Sequence, residues 1–191
     1  MGRAGERGRV LVLATGNAHK VEEIAAILDD WVVEPLDPEV EETGTTFEAN
    51  ALIKTHAAAV ATGDLAVGDD SGIEIDALGG APGIHSARWT YESDWIPRVL
   101  RELRGVPRRE RGCRYVCAAA AVWPDGREVV VRGTVEGVIT EVPRGTGGFG
   151  YDAIVEPVEG DGRTFAEMAV AVKHALSHRA RAFRALRPFL L

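Results

Sequence analysis

Two adjacent carboxylates, Asp69 and Asp70, follow a short apolar run in this sequence and precede Ser71 and Gly72. In α/β proteins, the loops after buried strands carry much of the chemistry. Two carboxylates in such a place cost free energy unless a cation or hydrogen bonds compensate them. They suit Mg²⁺, which uses one or two carboxylates together with substrate phosphates. The same residue types also favour solvated turns, and for this stretch alone the turn is the better interpretation.

A second candidate site is the segment from Thr15 to Lys20, which connects an apolar run at residues 10–13 to a predicted helix at residues 20–28. A strand, a turn and a helix N-terminus together outline an anion site, because N–H groups and the helix dipole point outward there. The segment lacks the GxxxxGK[ST] pattern, so it is not a P-loop. An ordinary strand-to-helix turn explains this stretch equally well.

An alanine-rich helix is predicted to begin after the acidic cluster at residues 39–42, where Thr45 and Glu48 form a capping-box pattern with Thr45 as the N-cap. Asn50 and Lys54 lie four residues apart on this helix and therefore share a face. By default the acidic cluster is a solvated loop and the lysine is a solvated side chain. Lys54 becomes important only if its face of the helix looks toward the paired carboxylates.

The glycine-rich segment at residues 144–152 formally contains a GxGxxG pattern that begins at Gly145. A dinucleotide site is rejected, because that fingerprint must open a helix, whereas a strand-like apolar run follows here at residues 153–155. We expect the glycines to let the backbone approach a flat ligand, with Phe149 or Tyr151 stacking on it. A glycine-rich turn explains the local pattern equally well.

The last predicted helix begins after Ser177, which is placed to act as its N-cap. His178 and Arg179 then lie in its first turn, where cations are unfavourable against the helix dipole. We therefore expect an anionic or hydrogen-bonding partner for them. The simpler alternative is a solvated arginine and a surface histidine.

Apolar runs predict the elements that must position these residues. Strands are expected at residues 10–13, 31–34 and 65–67, with helices between them, which indicates an α/β protein. Pro35 is expected to end the second of these strands. A further half-buried strand is expected at residues 73–77 and an amphipathic helix at residues 92–103. Two longer runs on either side of the turn sequence Pro124-Asp125-Gly126 predict a hairpin that forms a second lobe beside the first sheet.

Composition limits the class of protein. The chain has 191 residues, which suits one domain or one domain with a small lobe, and 46% of them are hydrophobic, which is enough for a core. The net charge of −7 argues against general nucleic-acid binding, which needs a basic surface. Cys113 and Cys117 do not make a disulfide framework and are expected to be reduced.

Residues 1–9 are rich in glycine and arginine and are expected to form a disordered tail rather than a signal peptide. No apolar run approaches the roughly 18 residues that a membrane span needs. We therefore expect a soluble, cytoplasmic protein with no membrane partner.

Taken in order, the motifs resemble those of the inosine triphosphate pyrophosphatase family, the XTP/dITP diphosphatases that hydrolyse aberrant purine nucleoside triphosphates. The resemblance covers nearly the whole chain from Val10 onward. Each motif is weak alone, but the ordered set is specific. The matching motifs are Thr15-Gly16-Asn17-Ala18-His19-Lys20, Glu42-Thr43-Gly44, Asp69-Asp70-Ser71-Gly72, Gly79-Gly80-Ala81-Pro82-Gly83, Gly147-Gly148-Phe149-Gly150-Tyr151-Asp152 and Ser177-His178-Arg179.

The resemblance implies an elongated α/β fold with a mixed sheet, two lobes and a long central cleft, formed by one domain at residues 10–191, and a homodimer. It also implies Mg²⁺-dependent hydrolysis of ITP, dITP or XTP to the monophosphate and pyrophosphate. Two alternatives stay open: a pyrophosphatase for other modified nucleotides, such as pyrimidines, and a nucleotide-binding module without catalysis.

The resemblance also implies roles for single residues. Asp70 is the implied catalytic base and a metal ligand, Glu42 (or, less favoured, Glu41) completes the metal site, and Lys54 assists. Arg179, or a backbone N–H near it, is expected to donate to the 6-keto oxygen of the purine. The implied nucleotide-binding residues are Thr15, Gly16, Asn17, Ala18, His19, Lys20, Ser71, Phe149, Gly150, Tyr151, Asp152, Lys173, His178 and Arg179.

Overall fold

The fold is organised around one mixed β-sheet, seen in a computed structural model that describes residues 9–91 and 94–191. Its strands are β1 (Arg9–Ala14), β2 (Trp31–Leu36), β3 (Ala66–Ile75), β4 (Gly112–Val122), β5 (Glu128–Ile139) and β6 (Val155–Pro157). The helices are α1 (Ala18–Ile27), α2 (Phe47–Thr62), α3 (Trp95–Glu102), α4 (Val170–Leu176) and α5 (His178–Leu186). The strand order is β2-β1-β3-β4-β5-β6. The predicted α/β class with a mixed sheet is thus confirmed.

Both faces of the sheet are covered by helices, which explains why β4 is almost continuously apolar. Alternate side chains of β4, such as Ala119 and Ala121, belong to a core cluster with residues of α1 and α5. The side chains between them, such as Ala118 and Ala120, belong to a cluster with Phe47 of α2. Small alanine side chains on both faces let the helices lie close to the central strand.

Strand β3 changes neighbours along its length. It pairs in parallel with β1 only at Ala66 and Val67, whereas it pairs antiparallel with β4 over all ten of its residues. Because β1 ends at Ala14, the edge of β3 that faces it has no strand partner from Gly68 to Ile73, before an isolated bridge joins Glu74 to Pro82. The paired carboxylates lie on this unpaired edge.

The predicted turn at Asp69 and Asp70 is wrong, because β3 runs through both residues without a break. The sequence suggested two short strands separated by a turn. Continuous pairing with β4 supplies the backbone hydrogen bonds that such a turn would have provided. The acidic pair therefore lies inside a strand beside a missing neighbour.

Two further boundaries differ from the prediction. The N-cap of α2 is Thr46 and not Thr45, since the Thr46 hydroxyl accepts a hydrogen bond from the Ala49 N–H at 3.1 Å. Strand β2 continues through Pro35, which was expected to interrupt it. An edge strand tolerates proline because it has a partner on one side only.

The predicted hairpin forms, but β4 and β5 belong to the same sheet as β1–β3 and occupy central positions in it. As expected, the glycine-rich segment does not open an α-helix; a 3-10 turn at Asp152–Ile154 follows, and then β6. The helix predicted at residues 92–103 is α3, with Glu92 and Ser93 outside the described residues.

The tail expected at residues 1–9 lies outside the described residues except for Arg9, which already belongs to β1. Cys113 and Cys117 are buried free thiols, as predicted. Among the described residues, no helix is long and apolar enough to cross a membrane.

Candidate functional site

A cleft of about 700 Å³ lies along the unpaired edge of β3 and gathers most of the predicted site residues. Ala18 and Glu41 are absent from its lining. The predicted residues that line it are Thr15, Gly16, Asn17, His19, Lys20, Glu42, Lys54, Asp70, Ser71, Phe149, Gly150, Tyr151, Asp152, Lys173, His178 and Arg179.

The loop between β1 and α1 forms one wall of the cleft, and its own side chains fix its shape. The Asn17 side chain caps α1 by accepting hydrogen bonds from the N–H groups of His19, at 2.9 Å, and Lys20, at 3.3 Å. A Cβ atom at Gly16 would overlap Asp37 Oδ2, so a larger residue there would require the Asp37 carboxylate to move. The predicted strand, turn and helix N-terminus are thus present, and an anion site there stays a prediction.

Asp69 lies beneath the cleft and holds two of its cations. Its carboxylate is fully buried and accepts hydrogen bonds from Lys20 Nζ at 3.0 Å and from Arg179 Nε at 3.4 Å. Burial alone would raise the pKa of Asp69. The positive charges of Lys20, Arg179 and Lys54 outweigh this effect, so that the pKa lies well below the usual range. Asp69 is therefore an ionised counter-ion.

Asp70 is the carboxylate that lines the cleft, since neighbouring residues of a strand point to opposite faces. Its Oδ2 accepts a hydrogen bond from Asn50 Nδ2 at 3.1 Å, and its Oδ1 accepts one from the Ser71 N–H at 2.9 Å. Burial raises its pKa above the usual value, and Glu42 adds to this, although Lys54 and Asn50 act in the opposite direction.

Helix α2 presents Lys54 to the same corner of the cleft. Lys54 Nζ donates to Glu42 Oε1 at 2.5 Å, and the Arg88 guanidinium binds the other oxygen of Glu42 at 3.0 Å. Burial alone lowers the pKa of Lys54, but Asp69, Glu42 and Asp70 raise it above the usual value. The default interpretation of a solvated lysine is therefore wrong, because this face of α2 looks toward Asp70.

Glu42 and Asp70, the two predicted metal ligands, are among the five carboxylates that line the cleft, together with Glu23, Asp37 and Asp152. Among the described residues, no group of three or more His, Cys, Asp or Glu side chains is arranged to hold a metal ion. Mg²⁺ does not need such a group, because it takes one or two carboxylates and completes its shell with water and substrate phosphates. Glu42 and Asp70 therefore suit Mg²⁺, whereas they are too few to bind a metal whose ligands all come from the protein.

Arg179 is buried at the inner end of the cleft, with 3% of its surface exposed. Its guanidinium donates to Glu23 at 2.6 Å and to the Ser71 hydroxyl at 3.1 Å, in addition to Asp69. Ser177, the N-cap of α5, donates to the other Glu23 oxygen at 2.5 Å. The anionic partner predicted for this first helical turn is thus present.

His178 is buried against an aromatic neighbour. Its ring stacks on Tyr115 of β4, with centroids 4.9 Å apart and planes 13° from parallel. Burial lowers the pKa of His178 well below its usual value, and the nearby Arg179 lowers it further, so that the imidazole is neutral at physiological pH. The histidine therefore offers a donor and an acceptor and carries no charge.

Asp152 connects Tyr115 to the glycine-rich segment. Its Oδ1 accepts a hydrogen bond from the Tyr115 hydroxyl at 3.1 Å. Its Oδ2 accepts from Lys173 Nζ at 2.5 Å and from the Phe149 N–H at 2.8 Å. One buried carboxylate thus fixes a cation of the cleft, the segment that carries Phe149 and a tyrosine of the central sheet.

Phe149 is the exposed aromatic side chain of this segment. About half of its surface, 47%, is accessible, and its ring lies parallel to His19 across the mouth of the cleft at 6.0 Å. Tyr151 is buried, stacks on Trp95 and donates to the Ser86 carbonyl at 2.9 Å. Of the two residues predicted to stack on a flat ligand, Phe149 has the accessible ring.

Sequence reasoning missed three residues that organise the cleft: Glu23, Asp69 as a counter-ion, and Tyr115. Glu23 directly precedes Ile24 on α1 and gave no signal, because nothing local distinguishes it from a solvated glutamate. Tyr115 lies within an apolar strand, where a tyrosine is an ordinary core residue. Their partners are distant in the chain, so these contacts appear only in the tertiary structure.

Comparison with known proteins agrees with this geometry. The model of the Ham1 family matches residues 11–189. The dITP/XTP pyrophosphatase of Symbiobacterium thermophilum is 51% identical to this chain over 179 residues, covering 90% of each protein. The dITP/XTP pyrophosphatase of Streptomyces coelicolor is 48% identical and covers 93% of this chain and 95% of that protein.

Solved structures show the same fold. The Ham1 protein of Staphylococcus aureus superposes with a TM-score of 0.85 at 37% identity, covering 95% of this chain and 98% of that one. A HAM1 protein from Coxiella burnetii gives a TM-score of 0.86 at 36% identity with the same coverage. The resemblance inferred from the motifs is confirmed, and this chain belongs to the Ham1 family.

Proposed function

We propose that this protein hydrolyses aberrant purine nucleoside triphosphates, namely ITP, dITP and XTP, to the monophosphate and pyrophosphate. The observation that carries the proposal is one cleft lined both by the carboxylates Asp70 and Glu42 and by cations that include Lys20, Lys173 and Arg179. The similarity to proteins named dITP/XTP pyrophosphatases supports the choice of substrate.

Asp70 is the proposed catalytic base. Water must attack the α-phosphorus in line with the departing pyrophosphate, and such a step depends mainly on positioning and on neutralising charge. Asp70 can orient this water and accept its proton only when it is ionised. Burial works against ionisation, and the nearby Lys54 ammonium favours it.

We propose Mg²⁺ as the cofactor, held by Glu42 and Asp70 together with substrate phosphates. When bound, it screens phosphate charge and lowers the pKa of coordinated water. The fit rests on the hard carboxylate oxygens that these two residues place in one corner of the cleft. Lys54 and Arg88 keep Glu42 ionised, since together they lower its pKa despite its partial burial.

The phosphates are proposed to lie against the N-terminus of α1, Lys20 and Lys173. Each lysine already has a carboxylate partner, Asp69 or Asp152, which holds the ammonium group in place before substrate arrives. Lysine suits phosphate as a point charge. This local arrangement explains how a protein with a net charge of −7 accommodates a highly anionic substrate.

Purine selectivity is proposed to depend on Arg179. A guanidinium has five N–H groups, and the structure gives three of them partners on Asp69, Glu23 and Ser71. Inosine and xanthine carry a 6-keto acceptor, whereas adenine carries a 6-amino donor. A buried donor left unpaired costs about 1–3 kcal/mol, and sites built on such bonds discriminate by about 10⁴-fold.

We also propose that the protein acts as a cytoplasmic homodimer. The homodimer rests on the family resemblance. The two free, buried cysteines suit a reducing compartment.

A pyrophosphate-release screen tests the proposed reaction. ITP, dITP, XTP, ATP, GTP and a modified UTP are compared with and without Mg²⁺. We expect the highest kcat/KM for a 6-keto purine other than GTP, and turnover only with the metal. A best rate with ATP or a pyrimidine nucleotide would overturn the substrate assignment.

The variant Asp70→Asn separates an enzyme from a binding module. We expect it to lose at least a factor of 100 in kcat, because an amide cannot accept the proton of the attacking water. Binding of the α,β-methylene analogue of ITP, measured by calorimetry, should persist. Turnover near the wild-type rate would exclude Asp70 as the base.

A further inference from the structure

Asn50 is a fully buried polar residue of α2 that has no role in the proposed reaction as described above. Its amide makes hydrogen bonds in two directions. Nδ2 donates to Asp70 Oδ2 at 3.1 Å, and Oδ1 accepts from the Gly44 N–H at 2.8 Å. One side chain therefore connects the proposed catalytic carboxylate on β3 to the loop that precedes α2.

That loop carries Glu42, two residues before Gly44. A Cβ atom at Gly44 would lie 2.6 Å from Asn50 Oδ1 and 2.7 Å from the Ala49 side chain, so the loop backbone packs tightly against the start of α2. Because the loop is held at this point, Asn50 also influences where the Glu42 carboxylate can lie.

Lys54 lies one helical turn after Asn50 and binds the Glu42 side chain directly. The same face of α2 thus contacts both proposed metal ligands, Asp70 through Asn50 and Glu42 through Lys54. Helices hold side chains more rigidly than loops do, and positions one turn apart on a helix have a fixed separation.

We propose that Asn50 is a positioning residue that holds the Asp70 carboxylate and the Glu42 loop at the separation that catalysis requires. This inference rests on the proposed function. Asn50 contacts Asp70 and is absent from the cleft lining, so it acts through the carboxylate and not on the nucleotide. Its loss should therefore reduce kcat and leave nucleotide binding largely intact.

The variant Asn50→Leu tests this directly, because it has a similar volume but can neither donate to Asp70 nor accept from the Gly44 N–H. We expect kcat for ITP to fall by about 10- to 100-fold, the scale expected for a small misplacement of reacting groups. KM and the affinity for the α,β-methylene analogue of ITP should stay within threefold of the wild type. Asn50→Ser, which is shorter, should show the same pattern.

Thr55→Val is the matched control. Thr55 is equally buried on the same helix, and its hydroxyl donates to the Ala51 carbonyl without reaching Asp70. We expect its kcat to stay within twofold of the wild type. Thermal unfolding of all variants separates a loss of stability from a loss of turnover.

The inference fails if folded Asn50→Leu or Asn50→Ser turns over ITP at the wild-type rate, or if KM rises while kcat is unchanged. It also fails if neither variant folds although Thr55→Val does, since Asn50 would then be a structural residue. These results differ from failure of the proposed function, in which the wild-type protein itself would release no pyrophosphate from ITP.

Discussion

Asp69 and Asp70 are adjacent and chemically identical, yet they occupy different environments. Asp69 is enclosed by Lys20 and Arg179, whereas Asp70 lines the cleft beside Asn50 and Lys54. Alternation along β3 causes the difference, because successive side chains point to opposite faces. As a result, the pKa of Asp69 lies below its usual value and that of Asp70 lies above it.

Asp69→Asn should destabilise the protein, since it leaves buried cations without their counter-ion. Breaking a buried pair in this way costs about 3–5 kcal/mol. Because the pKa of Asp69 is lowered on folding, its contribution is present above the unfolded-state pKa of about 3.9 and is lost as the pH falls through the lower folded pKa. The difference from the wild type should therefore be constant above about pH 5 and shrink below about pH 4.

Urea unfolding between pH 3 and pH 8 measures this difference. Asp64→Asn, at an exposed position, is the control and should change stability by less than about 0.5 kcal/mol. Equal stability of Asp69→Asn and the wild type at pH 7 would contradict the assignment of Asp69 as a counter-ion.

Arg179→Lys tests base selectivity better than Arg179→Ala, which would leave Glu23 buried without its cation and would remove one of the two cations that bind Asp69. Lysine keeps the charge but loses the planar fork of donors. We expect the ratio of kcat/KM for ITP to that for ATP to fall at least tenfold. Lys20→Ala should lower both values by a similar factor, because Lys20 is proposed to contact only phosphate. An unchanged ratio in Arg179→Lys would locate selectivity elsewhere.

At the scale of elements, the cleft exists because β1 stops while β3 continues. The unpaired edge of β3, the N-terminus of α1, one face of α2 and the start of α5 all meet there. Strand β4 lies behind them and contributes Tyr115, which contacts both His178 of α5 and Asp152. Each element thus supplies part of the site, and β4 joins parts that are far apart in sequence.

Tyr115→Phe should weaken substrate binding. It keeps the ring against His178 but removes the hydrogen bond to Asp152, which positions Lys173 and the Phe149 segment. Loss of one such bond corresponds to about 1–1.5 kcal/mol, so we expect KM for ITP to rise about 5- to 10-fold with kcat within threefold. Steady-state kinetics measures both values.

Cys113→Ala is the control for Tyr115→Phe, because Cys113 lies two residues earlier on the same face of β4 in the same core cluster. Its KM should remain within twofold of the wild type. A fall in kcat at constant KM in Tyr115→Phe would show that the tyrosine acts on the chemical step instead.

At the scale of the whole molecule, one continuous sheet holds the proposed catalytic, phosphate-binding and base-binding groups at one cleft. The homodimer remains a prediction from the family resemblance. Sedimentation equilibrium should give twice the 20.5 kDa mass of one chain. A species of one chain mass at micromolar concentration would contradict the prediction.

The sequence by itself determined the features that depend on near neighbours in the chain. Ser177 as a helix cap, the shared face of Asn50 and Lys54, and the rejection of a dinucleotide site at the glycine-rich segment all follow from local spacing. The ordered motifs also determined the family, because several short patterns in a fixed order are specific even when each alone is weak.

Only the tertiary structure decided which charges meet. Glu23 binds Arg179 across 156 positions of sequence, and Tyr115 reaches Asp152 across 37. The unbroken course of β3 likewise depends on its pairing with β4, against a local sequence typical of a turn. Partners that are distant in the chain are set by packing and strand pairing, and local spacing carries no record of them.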